Sequence, residues 1–248
     1  MTSLPEDLTN AVYSYAVAQW RWPELQLIDR AAAELWDKLP KHNLQPHAQK
    51  KRVARSAWID QRCLEFIGRH CNAEFVALRP GLNTRFYRLS QQVEWPRFCW
   101  YDLDHPATAR YKHCVLPDVD NYQIAPFADP DTDPWLRRIC GASQQPLMLI
   151  AENLNSSLSR AHWQRVVDTL HQAAGDRIVE IVYDGPSPVG ACLSQLGKFL
   201  RSRDNHELPC DITLPRSSPT LRRQPIEQGL LSWLSLHRLG FHCQIGRG

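Results

Sequence analysis

Apolar positions along the chain follow two periods, and the change from one to the other divides it. From Asp7 to Trp20 they recur at Leu8, Val12, Tyr15 and Ala16, and from Pro23 to Leu39 at Leu25, Leu27, Ile28, Ala32, Leu35 and Trp36. A spacing of three to four residues is that of helices burying one side. Pro23 suits the first turn of the second helix, where a missing N–H costs nothing. A basic connector, 40–55, leads into a third helix over Ala54–Cys71, with Trp58, Ile59, Leu64, Phe66 and Ile67 on its buried side.

Beyond that helix the apolar residues come in short, nearly continuous runs. Phe75–Leu78, Phe98–Asp102, Pro146–Ala151 and Arg177–Tyr183 read as strands, and Arg160–Ala174 as an amphipathic helix between the last two. The pattern then predicts a helix over Leu193–Arg203 and an irregular loop with one short strand at most over Asp204–Pro225, which four prolines interrupt. A helix over Ile226–Leu239 stopping at Gly240 and a last strand over Phe241–Ile245 complete the chain. Strands without polar alternation are buried on both faces, so the alternation of strand and helix predicts an α/β fold with an open parallel sheet covered by helices on both faces. Its expected division is a helical extension and connector over 1–52 and an α/β domain over 53–248.

Composition narrows the classes of function. The net charge of +3 comes from 29 basic and 26 acidic residues interleaved along the chain, which points to no nucleic-acid or membrane partner. No run of roughly 18 apolar residues occurs, and the N-terminus is polar and acidic, so a cytoplasmic location is expected. The eight cysteines include no Cys-x-x-Cys pair and the ten histidines show no ligand spacing, so no metal site is expected and the thiols read as reduced and mostly buried, Cys99 among them.

In parallel α/β sheets ligands bind beyond the carboxyl ends of the strands. Three segments end strands at that edge: Arg79-Pro-Gly-Leu-Asn-Thr-Arg85, Asp102-Leu-Asp104-His-Pro106 and Glu152-Asn-Leu-Asn155. Asp102 lies 21 positions after Gly81, a spacing that suits an acid accepting hydrogen bonds from both ribose hydroxyls of a nucleotide. The plainer account of Asp104-His-Pro is a helix cap with Pro106 in the first turn.

Together, Leu78, Gly81-Leu-Asn-Thr-Arg85, Arg88-Leu89, Asp102-Leu-Asp104-His-Pro106 and Lys112 resemble the leucine carboxyl methyltransferase family, including tetracenomycin-type polyketide O-methyltransferases. The resemblance extends to Arg55 and Asp60 on the preceding helix, to the segment PLMLIAENLNSSL and to the closing SWLSLHRLGFHC. It implies a Rossmann-like class I methyltransferase sheet, S-adenosylmethionine (SAM) as methyl donor, and a small-molecule acceptor methylated on a carboxylate or hydroxyl oxygen. It places Arg55, Gly81, Asn83, Asp102 and Glu152 at the cofactor. Arg55 would meet its carboxylate, Gly81 would admit close approach, Asp102 would hold the ribose, and Glu152 would lie near the sulfonium and amino group. No catalytic side chain is assigned, and the loops 125–134 and 204–225 are expected to shape the acceptor pocket.

The chain departs from the family pattern at several positions. Arg79-Pro80 stand where the family has Gly-Ala, so a large side chain and a ring without an N–H replace bare backbone. Asn83 replaces an aspartate, Ile124-Ala-Pro-Phe127 lacks an acid toward adenine, and Asn153 and Ser157 replace Gly and Tyr. Two functions remain open: a SAM-dependent O-methyltransferase of a small biosynthetic intermediate, or a descendant that has lost SAM-dependent transfer and works as a SAM-independent enzyme or a binding partner. In the second, Arg79, Arg85 and Arg88 would favour an anionic ligand.

Overall fold

The computed structural model describes residues 6–39, 49–94, 98–128, 134–152, 160–174, 177–186, 221–225 and 238–245. By contact density it comprises two compact units, Met1–Pro126 and Phe127–Gly248.

In the first unit, helices α1 (Glu6–Ala16), α2 (Ala18–Arg21), α3 (Arg30–Lys38) and α4 (Gln49–Arg69) precede strand β1 (Ala73–Leu78). Then follow α5 (Arg85–Ser90), β2 (Phe98–Asp104), α6 (Pro106–Val115) and β3 (Tyr122–Pro126). The strands are parallel, with β2 between the others: Leu78 pairs with Leu103, and Asp104 with Pro126. Every residue of β1 is buried. Phe75 stacks on Trp100 with ring centres 5.1 Å apart, and Phe98 meets Phe75 edge-on at 5.6 Å. A second apolar cluster joins the N-terminal helices to the rest of this unit: Val12, Tyr15, Leu27, Leu35 and Val53 pack with Leu82.

The expected single helix over Pro23–Leu39 is broken. Pro23–Leu25 forms one 3-10 turn that ends at Gln26, whose φ of 52° is left-handed. Helix α3 begins only after Asp29, whose carboxylate accepts from the Ala32 N–H at 2.8 Å. The apolar spacing runs through the break, yet Ile28 within it is 55% exposed. Helix α4 starts five residues before its expected beginning, so Lys50–Arg52 of the basic connector are helical.

In the second unit, α7 (Trp135–Ala142), β4 (Leu147–Ala151), α8 (Arg160–Ala174) and β5 (Val179–Pro186) are followed by β6 (Leu221–Pro225) and β7 (Arg238–Ile245). β4 and β5 are parallel, whereas β7 runs antiparallel to both β5 and β6. Residues 238–240 therefore belong to β7 and do not close a helix. The rest of that expected helix, 226–237, and the one over Leu193–Arg203 lie outside the described residues.

Among the described cysteines Cys63 is buried, while Cys71, Cys99 and Cys114 are exposed. Cys99 corrects the expectation of a core thiol: it alternates with buried Phe98 and Trp100 along β2 and so projects from the other face. No described helix is long and apolar enough to cross a membrane, and no described cluster of His, Cys, Asp and Glu has the makings of a metal site.

Candidate functional site

At the carboxyl edge of β1 the chain turns sharply from Arg79 to Thr84 before entering α5. Arg79, immediately after the strand, donates its N–H to the Leu103 carbonyl at 2.7 Å and has a φ of 49°. An arginine in the left-handed region is strained, since its Cβ crowds its own backbone. Gly81 also lies there, with a φ of 59°. A Cβ at Gly81 would come within 2.6 Å of Cδ2 of Leu8, so α1 already makes a close approach to this glycine.

Beside the turn, the end of β2 carries two acids whose surroundings differ. Trp100, Asp102 and Asp104 share one face by the strand's period of two. Both oxygens of Asp102 are engaged inside the protein: Oδ1 accepts from Trp100 Nε1 at 2.7 Å, and Oδ2 accepts from the Tyr122 hydroxyl at 2.5 Å and from Lys112 Nζ. Tyr122 keeps its proton to unusually high pH, because it is buried and faces the Asp102 charge. Asp104, the last residue of the strand, is 4% exposed. Its Oδ1 accepts from the His105 N–H at 2.9 Å, and its Oδ2 has no hydrogen-bond partner, with Lys112 Nζ 3.9 Å away. Burial pushes the pKa of Asp104 above that of an ordinary aspartate; Lys112 and the backbone N–H groups of His105 and Gly81 oppose the shift, while Asp102 adds to it. The cap of α6 is His105, whose Nδ1 accepts from the Ala107 N–H at 3.3 Å with Pro106 at the first position, so Asp104 is not the capping residue.

Beneath the turn a second ionic cluster ties it to the N-terminal helices. Arg88 commits its whole guanidinium: Nε to Asp60 Oδ2 at 2.8 Å, Nη1 to Asp29 Oδ2 at 2.6 Å and Asn83 Oδ1 at 3.2 Å, Nη2 to Ser56 Oγ and Asp60 Oδ1 at 3.0 Å each. Arg85 adds Nε to Asp60 Oδ1 at 2.5 Å and Nη2 to Ser56 Oγ at 2.9 Å, and the Thr84 hydroxyl donates to Asp29 at 2.6 Å. Burial alone would disfavour the Arg88 charge, but Asp60 and Asp29 outweigh it and leave the guanidinium firmly protonated. Two arginines thus face two aspartates. Asn83 completes the cluster as a neutral acceptor, taking hydrogen bonds from Arg88 and from the Arg85 N–H at 3.1 Å. The negative charge absent at Asn83 is supplied by Asp29, which sequence reasoning passed over.

Among the other sequence-derived candidates, Arg55 is buried on α4, in the same unit as Gly81, Asn83 and Asp102. Glu152 lies in the second unit, buried, directly after β4. Asn153 and Ser157 lie outside the described residues, as do 129–133 of the loop 125–134 and 204–220 of the loop 204–225.

Comparison with known proteins then places the chain. It resembles a candidate methyltransferase from Thermobifida fusca at 15% identity, with 96% of this chain and 94% of that one covered and a TM-score of 0.54. Magnesium protoporphyrin IX methyltransferase from Synechocystis, solved with bound S-adenosylhomocysteine (SAH), matches at 10% identity over 88% and 95% of the two chains, with a TM-score of 0.50. A carbon methyltransferase, CurJ, matches at 11% identity over 98% and 68%, with a TM-score of 0.53. A search of curated proteins finds no match. These likenesses show the Rossmann-like class I methyltransferase fold expected from the sequence. The leucine carboxyl methyltransferase family model matches residues 6–171, most of the chain, and the chain belongs to that family.

Proposed function

We propose that this chain is a SAM-dependent methyltransferase acting on an oxygen, carboxylate or hydroxyl, of a small-molecule biosynthetic intermediate. Family membership supports the methyl-transfer class. The observation that carries the cofactor assignment is Asp104, a buried carboxylate at the end of β2 with one oxygen lacking any hydrogen-bond donor. Ribose hydroxyls would provide such donors. On this reading the ribose falls to Asp104 and not to Asp102, whose oxygens already hold three donors. The buried carboxylate fits the nucleoside end of the cofactor; Gly81, whose open side Leu8 fills, fits less simply.

When bound, SAM supplies an electrophilic methyl group. The residues of this chain have the tasks of holding the donor and excluding water, since transfer to oxygen depends mainly on alignment. Arg55, in the same unit as Asp104, is assigned to the methionine carboxylate by its opposite charge. A carboxylate acceptor needs no base, whereas a hydroxyl acceptor requires one.

A second reading, loss of SAM-dependent transfer with retention of the fold, is favoured by the strained Arg79 and by Leu8 over Gly81. Calorimetric titration with SAM and SAH separates the two. The methyltransferase reading expects saturable binding that Asp104→Asn weakens roughly 100-fold and that Asp102→Asn preserves within a few-fold at pH 8. Absence of heat with either ligand at millimolar concentration would rule it out.

A further inference from the structure

Lys112 is wholly buried. It stands between two carboxylates, in contact with Asp102 Oδ2 and 3.9 Å from Asp104 Oδ2. Asp102 does not need it for satisfaction, because Trp100 and Tyr122 already donate one hydrogen bond to each oxygen. A buried cation is costly where neutral donors suffice. What Lys112 adds is a positive charge facing the one oxygen that has no donor.

Resting on the nucleoside assignment above, we propose that Lys112 is a positioning residue: held by Asp102, it keeps Asp104 ionised, so that ligand hydroxyls are captured at Asp104 by a proton-linked equilibrium. Asp102 opposes this from the same strand, and by occupying Lys112 it also restrains the lysine from closing on Asp104. The other groups facing the carboxylate are the N–H donors of His105 and Gly81. Tyr122 on β3 and Tyr87 on α5 stay neutral, both raised by burial and by the Asp102 charge. The His105 ring is turned to cap α6. The acidity of Asp104 is therefore set by a lever of two residues with opposite signs.

The experiment has two arms. In the ligand-free protein, the carboxyl carbon of Asp104 is followed by NMR between pH 3 and 9 in protein labelled at aspartate. Lys112→Met is expected to move its titration midpoint up by about one pH unit or more, and Asp102→Asn to move it down, because it removes an anion and releases Lys112 toward Asp104. In the second arm, SAH affinity is expected to fall about tenfold per pH unit below the Asp104 midpoint, with the fall beginning at higher pH in Lys112→Met. Unmoved midpoints, or binding weakened by one factor at every pH, would overturn the proposal by showing a purely structural lysine. Should Lys112→Met not fold, the direction of the Asp102→Asn shift decides alone. Midpoints that move as expected with no SAH binding at any pH would refute the nucleoside assignment and leave the lever standing.

Discussion

Two buried charge clusters lie within the first unit, and they are built on different terms. Around Arg88, every N–H of the guanidinium is committed, the charges balance, and the carboxylates of Asp29 and Asp60 are each shared among several donors. Around Lys112, two carboxylates compete for one cation, and Asp104 is left with an oxygen that no donor reaches. A satisfied network fixes geometry, whereas an unsatisfied one costs stability unless something outside the chain completes it. The difference separates the part of the edge that holds the turn from the part suited to hold a ligand.

Breaking the satisfied cluster carries the largest expected penalty. Arg88→Met strands the charge of Asp29 in the interior, leaves Asp60 with Arg85 alone, and is expected to cost about 3 to 5 kcal/mol, read from urea unfolding. A loss below about 1 kcal/mol would show that water reaches the cluster and that the contrast is false.

Next comes Asp104→Asn, for which the two clusters predict opposite behaviour. SAH affinity should drop roughly 100-fold, as when a pair of hydrogen bonds to an ionised group is lost, while the thermal midpoint holds or rises at pH 7 to 8. The sign follows from the raised pKa of Asp104: the folded state binds that proton more firmly than the unfolded chain, so the ionised side chain is destabilising above its folded-state pKa. The gain of the asparagine variant over wild type should therefore shrink as pH falls through that value. A midpoint that drops at neutral pH would make Asp104 a structural acid like Asp60.

Smaller still is Gly81→Ala, expected to cost about 1 to 2 kcal/mol from its left-handed φ, with the Leu8 side chain yielding to the new methyl. Smallest is Glu24→Gln. Its hydrogen bond to Lys50 lowers the pKa of Glu24, but both side chains are solvent-exposed, so no measurable change in thermal midpoint is expected at pH 7. A clear shift there would mean that surface pairs count in this fold and would weaken any conclusion drawn from buried ones.

Much of this edge was legible in the sequence, because strand ends and glycine turns are local features. The segment from Arg79 reads as a strand end, Arg160–Ala174 as a helix, and Asp102-x-Asp104 as the acidic end of a strand. Which of the two acids is occupied was not legible. Both share one face, and two of the three donors to Asp102 arrive from α6 and β3, ten and twenty residues further on. Asp29 was missed for the same reason, since it meets Thr84 across 55 residues. The break before α3 is hidden because apolar spacing continues through it, although the backbone leaves the helix at Gln26 and re-enters it only after Asp29. The reversal at β7 depends on pairing partners that no local pattern names.

The contact between Leu8 and Gly81 has a practical consequence. A methyl group rests on the glycine of the turn and belongs to a helix that begins at Glu6, so its environment registers any rearrangement of that backbone. Isotopically labelled Leu8 would thus serve as a built-in probe, with a methyl resonance that reports movement of the turn before any acceptor molecule has been identified.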